Sequence, residues 1–205
     1  MPKIVDHDQR RREIAGALYR VIARVGLEGA SVRAVAAESG WSMGAVRHYF
    51  GSQDELLHFG IALQIERITA HIREIVSAER PSRARAQRIL EMLVALDEER
   101  LAESRIWIAV LAKSPSDATL DAVRRDALAG ERYICRGIVC DLAGEPWPPD
   151  DGTPLAPRRE REAARLQVTI DGLTILRATY PEQFSPDEVR RLIADELREL
   201  QQRLS

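Results

Sequence analysis

The side chains from which catalysis or metal ligation would be built are few and poorly spaced for it. The four histidines are His7, His48, His58 and His71. No Gly-x-Ser-x-Gly elbow, His-Glu-x-x-His pair or phosphate-binding glycine loop accompanies them. His58 and His71 fall on one expected helix, roughly 20 Å apart at 1.5 Å per residue, too far to share a metal ion. Cys135 and Cys140 are the only cysteines. Five apart in a helical pattern, they offer neither a disulfide framework nor four zinc ligands, and buried thiols are expected. The reading is of a protein that is not an enzyme and uses no cofactor or metal. The groups that can act together are Ser31, Ser42, Arg47 and His48. Hydroxyls, a guanidinium group and an imidazole so close in sequence suit the holding of phosphates and the reading of base edges.

Such groups must be positioned by something, and the residues around them supply it. Ser31 can cap a short helix that ends near Ser39 and Gly40, and Ser42 can cap another from Met43 to Phe50. Two short helices about a glycine turn are the requirement of a helix-turn-helix, whose second helix brings its N-terminal side chains to the major groove of DNA. Val32, Val35, Ala36, Val46 and Phe50 can then face inward, with Ser42, Met43, Gly44, Arg47 and His48 outward. Small Gly44 and Ala45 would let the backbone approach DNA. Trp41 and Phe50 are expected to pack between helices.

Charge gives the idea limited help. The chain has 205 residues, 45% of them hydrophobic, and a net charge of −2. Its first fifty residues hold eight basic and five acidic side chains, a balance of +3, leaving −5 for the rest. A positive head on an acidic body would show this polarity; so would an ordinary solvated surface.

Composition favours helix throughout, and the expected fold is all-α with about nine helices. Ile14, Leu18, Val21, Ile22 and Val25 predict a first helix from about residue 7 to Gly26, with Asp6 as its cap. Ser52-Gln53-Asp54-Glu55 reads as a capping box opening a long fourth helix. Its stripe Leu57, Ile61, Ile65, Ile68, Ile72 and Ile75 continues to Pro81. Ile89, Leu93 and Leu96 mark a fifth helix, Ile106 to Leu111 a sixth, and Leu120 to Leu142 a seventh begun by Ser116 or Asp117. Four prolines between Pro146 and Pro154 enforce a loop. An eighth helix carries Leu166, Ile170, Leu173 and Leu176; a ninth opens at Ser185-Pro186-Asp187-Glu188 with a second capping box. Functionally this divides into a DNA-binding segment, 1–51, and a body, 52–205. No apolar run reaches the roughly 18 residues of a membrane span, and the N-terminus does not read as a signal peptide, so a cytoplasmic location is expected.

The run Gly40-Trp41-Ser42, Gly44-Ala45-Val46, His48-Tyr49-Phe50, then Gly51-Ser52-Gln53-Asp54-Glu55-Leu56-Leu57 resembles the signature of the TetR family of bacterial transcriptional regulators. The match spans about residues 8–60; beyond that the likeness is one of plan. It implies a palindromic double-stranded DNA operator, a small-molecule effector that releases a repressor, and a homodimer. Arg33 stands in the family's base- or phosphate-reaching position near the start of helix two, and Tyr49 in its phosphate-binding position. Arg47 replaces a common tyrosine and Gln53 a common lysine, which alters the contacts implied there. The body's effector pocket would lie among helices four to eight. Met92, Trp107, Tyr133 and Thr174 are its candidates, an apolar or amphipathic ligand fitting best, though each also suits plain core packing.

Helices eight and nine carry more apolar surface than one two-helix layer needs, which points to a dimer seam. Its expected residues are Leu166, Ile170, Leu173 and Leu176 on one helix and Val189, Leu192, Ile193 and Leu197 on the other. The competing reading is a helical small-molecule-binding protein or enzyme without sequence-specific DNA binding.

Overall fold

The computed structural model describes residues 7–205, which form nine α-helices and one short 3-10 turn. The helices are α1 (His7–Gly29), α2 (Val32–Ser39), α3 (Met43–Tyr49), α4 (Gln53–Ala78), α5 (Arg83–Leu93), α6 (Glu98–Lys113), α7 (Ala118–Ala143), α8 (Pro157–Thr179) and α9 (Pro186–Leu204). Asp6, the expected cap of α1, lies outside the described residues.

Local chemistry accounts for most boundaries. Ser31 and Ser42 cap α2 and α3, accepting from the backbone N–H groups of Ala34 at 3.2 Å and Ala45 at 3.1 Å. Between them Gly40 takes the left-handed conformation, φ 72°, which a side chain would strain. Gly26 does not end α1 as expected: its φ of 77° kinks the helix, and the chain continues to Gly29. α6 begins well before Ile106, because Asp97 caps it at Arg100 N, 2.9 Å. Asp117 caps α7 through Thr119 and Leu120. Both expected capping boxes form differently from the pattern. Glu55 accepts from Gly51 N at 2.8 Å, one residue earlier than Ser52 N, while Glu188 turns to Arg191.

Two apolar cores result. In the first, Ile14, Leu18 and Val21 of α1 meet Val35, Val46 and Phe50. Leu56, Leu57 and Ile61 of α4 close it, together with Ile106 and Val110 of α6 and Leu120 of α7. The second core joins α5, α7, α8 and α9 to Ile72, farther along α4. α4, about 39 Å long at 1.5 Å per residue, therefore belongs to both, and α1 packs directly on α6.

The second core holds most of the residues expected at the dimer seam. Leu166, Ile170, Leu173, Val189, Ile193 and Leu197 are all buried within the single chain. The reason is a layer the periodicity did not assign: α5 packs on α9 and α7 on α8, covering that apolar face. Leu176 and Leu192 are half-buried, Leu192 against the same core. The apolar side chains that α8 does leave outward are Val168, 70% exposed, and Ile175, 45% exposed.

The proline-rich loop after α7 folds back and lays Trp147 on Gly137 of α7. The Trp147 Nε1–H donates to Asp141 at 2.7 Å. Asp141 is also paired with buried Arg85, whose Nε donates to it at 3.0 Å. Arg85 further donates to the carbonyls of Val76 and Glu79, closing the end of α4 onto α5.

Candidate nucleic-acid interface and ligand cavity

The short α3 is held by its cap and by Val46, leaving the rest of its surface free. Ser42, Met43, Gly44, Arg47 and His48 are exposed; Ala45 and Tyr49 are half-buried. Ser31 and Arg33 are exposed at the start of α2. Arg47 and Arg33 have no ion-pair partner among the described residues, whereas most neighbouring arginines are engaged. Arg20 and Arg24 both hold Glu38 of α2, at 2.9 and 2.8 Å, and pull its carboxyl below the usual range. Arg10 pairs with Glu13 and Arg11 with Glu55. Arg33 and Arg47, with Arg12 of α1, are thus the described arginines of this segment without an ion pair.

Tyr49 is not a free phenol on the surface. Its ring meets His7 at 5.7 Å, Trp41 edge-on at 6.1 Å and His48 edge-on at 5.4 Å, while Arg10 lies 4.8 Å over Trp41. Arg11 lies against both Phe50 and Phe59, 4.8 and 4.5 Å from their centroids, while the two rings touch each other at 5.4 Å. Sequence reading missed these α1 partners, since their contacts with α3 and α4 have no local signal.

A cavity of about 630 Å³ lies between α4, α6, α7, α8 and the loop after α7. α4 supplies an aliphatic wall of Ile61, Ile65, Ile68 and Ile72. Of the four expected residues, Trp107, Tyr133 and Thr174 line it. Tyr133 donates its hydroxyl to the Pro148 carbonyl at 3.0 Å and Thr174 to Leu93 at 3.3 Å. Met92 is placed elsewhere, its sulfur 3.6 Å from Arg100 Nη2.

The cavity's acidic groups went unnoticed in the sequence, where a charged residue on a helix normally reads as solvated. Glu131 and Asp171 face it together. Burial, then the adjacent Asp171 carboxylate, pushes the Glu131 carboxyl up to about 8; burial raises Asp171 as well. Cys135, beside them, is buried and its thiol is pushed far up. Among the described residues, no group of three or more His, Cys, Asp or Glu could hold a metal ion.

A second cavity of about 860 Å³ separates α1, α4 and α6. Gln64 of α4 lies on the walls of both cavities. Tyr19 of α1 donates to Gln64 Oε1 at 3.0 Å, and Gln64 Nε2 donates to Glu103 of α6 at 3.4 Å. Burial, then the Glu103 charge, raises the Tyr19 phenol, which stays a neutral donor.

Two family profiles, several relatives and several solved structures are similar to this chain. Residues 14–58 match the profile of bacterial regulatory proteins of the tetR family, and residues 81–202 that of the BetI-type transcriptional repressor C-terminal region. The HTH-type transcriptional regulator PksA of Bacillus subtilis is 34% identical over 200 residues, covering 94% of this chain and 90% of that one. The regulator BetI of Vibrio atlanticus is 28% identical over 200 residues, covering 96% and 94%. A transcriptional regulator from Rhodococcus sp. Rha1 superposes with a TM-score of 0.77 at 30% identity, covering 94% and 96% of the two chains. A protein from Saccharomonospora viridis solved in complex with choline shares the fold, with a TM-score of 0.75 at 22% identity and coverage of 92% and 95%. No described helix is long and apolar enough to cross a membrane.

Proposed function

Because the chain belongs to the TetR family of bacterial transcriptional regulators, we propose that it is a repressor that a small molecule releases from a palindromic operator. The observation that carries this is the pairing of a capped, outward-facing α3 bearing unpaired Arg47 with a ligand-sized cavity along the same α4 that anchors the head. Residues 1–51 would then read DNA, and 52–205 sense the effector and dimerise. The guanidinium of Arg47 would donate to a guanine edge or a phosphate, beside His48, with Ser42, Met43, Gly44 and Ala45 nearest the groove. Ser31, Arg33 and Tyr49 would contact the flanking backbone, the aromatic packing around Tyr49 fixing its hydroxyl's direction. Gln53 offers a neutral contact at most.

Homodimerisation would use the outward face of α8, where Val168, Gly172 and Ile175 recur at helical spacing with open space above Gly172. A two-fold axis places two α3 helices over half-sites about 34 Å or a multiple apart. Transmission is expected through Gln64. A ligand touching Gln64 from the cavity competes with its bond to Tyr19 and so acts on α1, the scaffold of the head. Useful release needs a ligand that prefers the DNA-incompetent state by about 3–5 kcal/mol. A protein of similar fold solved in complex with choline supports the reading that a small molecule is bound.

The test begins with genomic fragments retained by the purified protein at two salt concentrations. Arg47→Ala is expected to abolish specific retention with an unchanged thermal midpoint. Normal operator affinity in that variant would refute the assignment, and no salt-steep specific complex with any fragment would favour a helical ligand-binding protein instead. A stable monomer in sedimentation at micromolar concentration would overturn the dimer.

A further inference from the structure

Five carboxyl groups and one guanidinium line the cavity between α4, α6, α7 and α8: Asp126, Glu131, Asp150, Asp151 and Asp171 against Arg73. The remaining wall mixes aliphatic and aromatic side chains with a few neutral polar ones, and the excess of carboxyl groups disfavours anions. Within it Glu131 and Asp171 lie close enough to act on each other's ionisation. Glu131 Oε1 is shielded from solvent and has no hydrogen-bond partner among the described residues. A buried acceptor left unmatched is costly, and a ligand that brings a donor to it recovers that cost.

The aromatic groups are arranged less favourably for a cation without N–H bonds. Of the three aromatic residues on its wall, Trp107, Tyr133 and Trp147, the last two pack edge to face, centroids 5.7 Å apart, so they press on each other rather than opposing faces across a gap. A quaternary ammonium is held by several ring faces around it, and it carries no donor for Glu131 Oε1. An N–H-bearing ammonium satisfies the carboxyl pair directly, through short charge-assisted bonds.

On the reading of this cavity as the effector site, we propose that its ligand is an apolar primary or secondary amine. It binds as the ammonium, donating to Glu131 and Asp171, with its hydrocarbon body along Ile65, Ile68 and Ile72 of α4.

Proton linkage follows. Near neutral pH the free pair shares a proton, since Glu131 titrates at about 8. An arriving ammonium favours the doubly ionised pair, so the proton passes to solvent as the complex forms. Affinity therefore rises from pH 6 to 8 and levels off above that range, where Glu131 is already ionised in the free protein. Arg132 is the cation that acts on the pair, and the other charged groups lining the cavity are Asp126, Asp150, Asp151 and Arg73; Cys135 stays a neutral thiol.

The test titrates the DNA-free protein calorimetrically with three probes sharing one body: 4-phenylbutylamine, 4-phenylbutanol and 4-phenylbutyltrimethylammonium. The amine is expected to bind at least about tenfold more tightly than either analogue at pH 7, with measurable proton release. Glu131→Gln and Asp171→Asn should each remove most of that advantage while leaving the alcohol's affinity within about twofold, which also reports an intact cavity. Equal binding of amine and alcohol, equal binding of the quaternary analogue, or no binding of the amine at millimolar concentration would overturn the proposal. Operator retention is measured separately. Amine binding with this signature but without DNA release would retain the ligand class and refute the effector role; release by the alcohol alone would do the reverse.

Discussion

Gly137→Ala should be among the most damaging small substitutions in this protein, although in an ordinary helix the same change is beneficial. A Cβ at Gly137 would lie 2.5 Å from Trp147 Cε3 and closer still to Cδ2 and Cε2, where carbon atoms normally rest about 3.5–4.0 Å apart. The indole must therefore move by more than about 1 Å. It is not free to do so: its Nε1–H is committed to Asp141, Asp141 to Arg85, and its edge to Tyr133. Overpacking costs about 1–3 kcal/mol, and loss of a bond to a charged acceptor about 1.5–3. The helix gains back about 1 from replacing glycine. A net loss of about 2–4 kcal/mol should lower the thermal midpoint by roughly 5–15 °C for a chain of this size. Thermal and urea unfolding would measure it, with tryptophan emission reporting the displaced ring. Gly130→Ala on the same helix meets no atom within 4 Å and should be neutral to stabilising by up to about 1 kcal/mol. If Gly137→Ala is as stable as the parent, the reasoning from ring confinement fails.

Further outcomes can be measured with the same methods. Asp141→Asn should destabilise by about 3–5 kcal/mol, because it leaves the Arg85 charge buried without its counterion; a loss under 1 kcal/mol in urea unfolding would contradict this. Ser42→Ala should cost about 1 kcal/mol through its cap and weaken operator binding by loosening the start of α3, and unaltered DNA affinity would count against that positioning. Glu131→Gln should behave differently at two pH values. The folded-state carboxyl titrates at about 8, above its unfolded value, so the native form is favoured below that range and must carry a costly buried charge above it. The variant should thus match the parent near pH 5 and exceed its thermal midpoint near pH 8.5; parallel midpoints across the range would refute the linkage. Tyr19→Phe should cost about 1 kcal/mol and leave operator affinity intact while blunting release by ligand, and full release would remove Gln64 from the transmission route.

What the sequence determined by itself was governed by neighbours in the chain, although the kink at Gly26, the Asp97 cap and the partners of Glu55 and Glu188 escaped it. Serines at 31, 42, 52 and 185 cap helices because a hydroxyl reaches a backbone N–H three residues on. Gly40 turns because it alone tolerates positive φ there, and the 3–4 spacing of apolar residues set which faces of α1 and α4 turn inward. The exposed α3 surface could be named for the same reason: burying Val46 leaves Arg47 and His48 outward.

Periodicity says that a face is apolar but not what covers it. Leu166, Ile170, Val189, Ile193 and Leu197 were read from their spacing as the apolar face of a dimer seam, and within the single chain α5 and α7, arriving from elsewhere in the sequence, pack over that face. Charge has the same ambiguity. Glu131 and Asp171 are forty residues apart and ordinary in sequence; only the packing of α7 on α8 desolvates them together, changes their titration and gives the cavity its acidic side. Trp147 likewise gained its role from Gly137 and Asp141, through a loop whose prolines foretold a break in the helix but not its direction. Local hydrogen bonding and steric preference act over a few residues, so the sequence displays them openly. Desolvation and contact between distant segments depend on the whole packed chain, and only the tertiary structure could decide them.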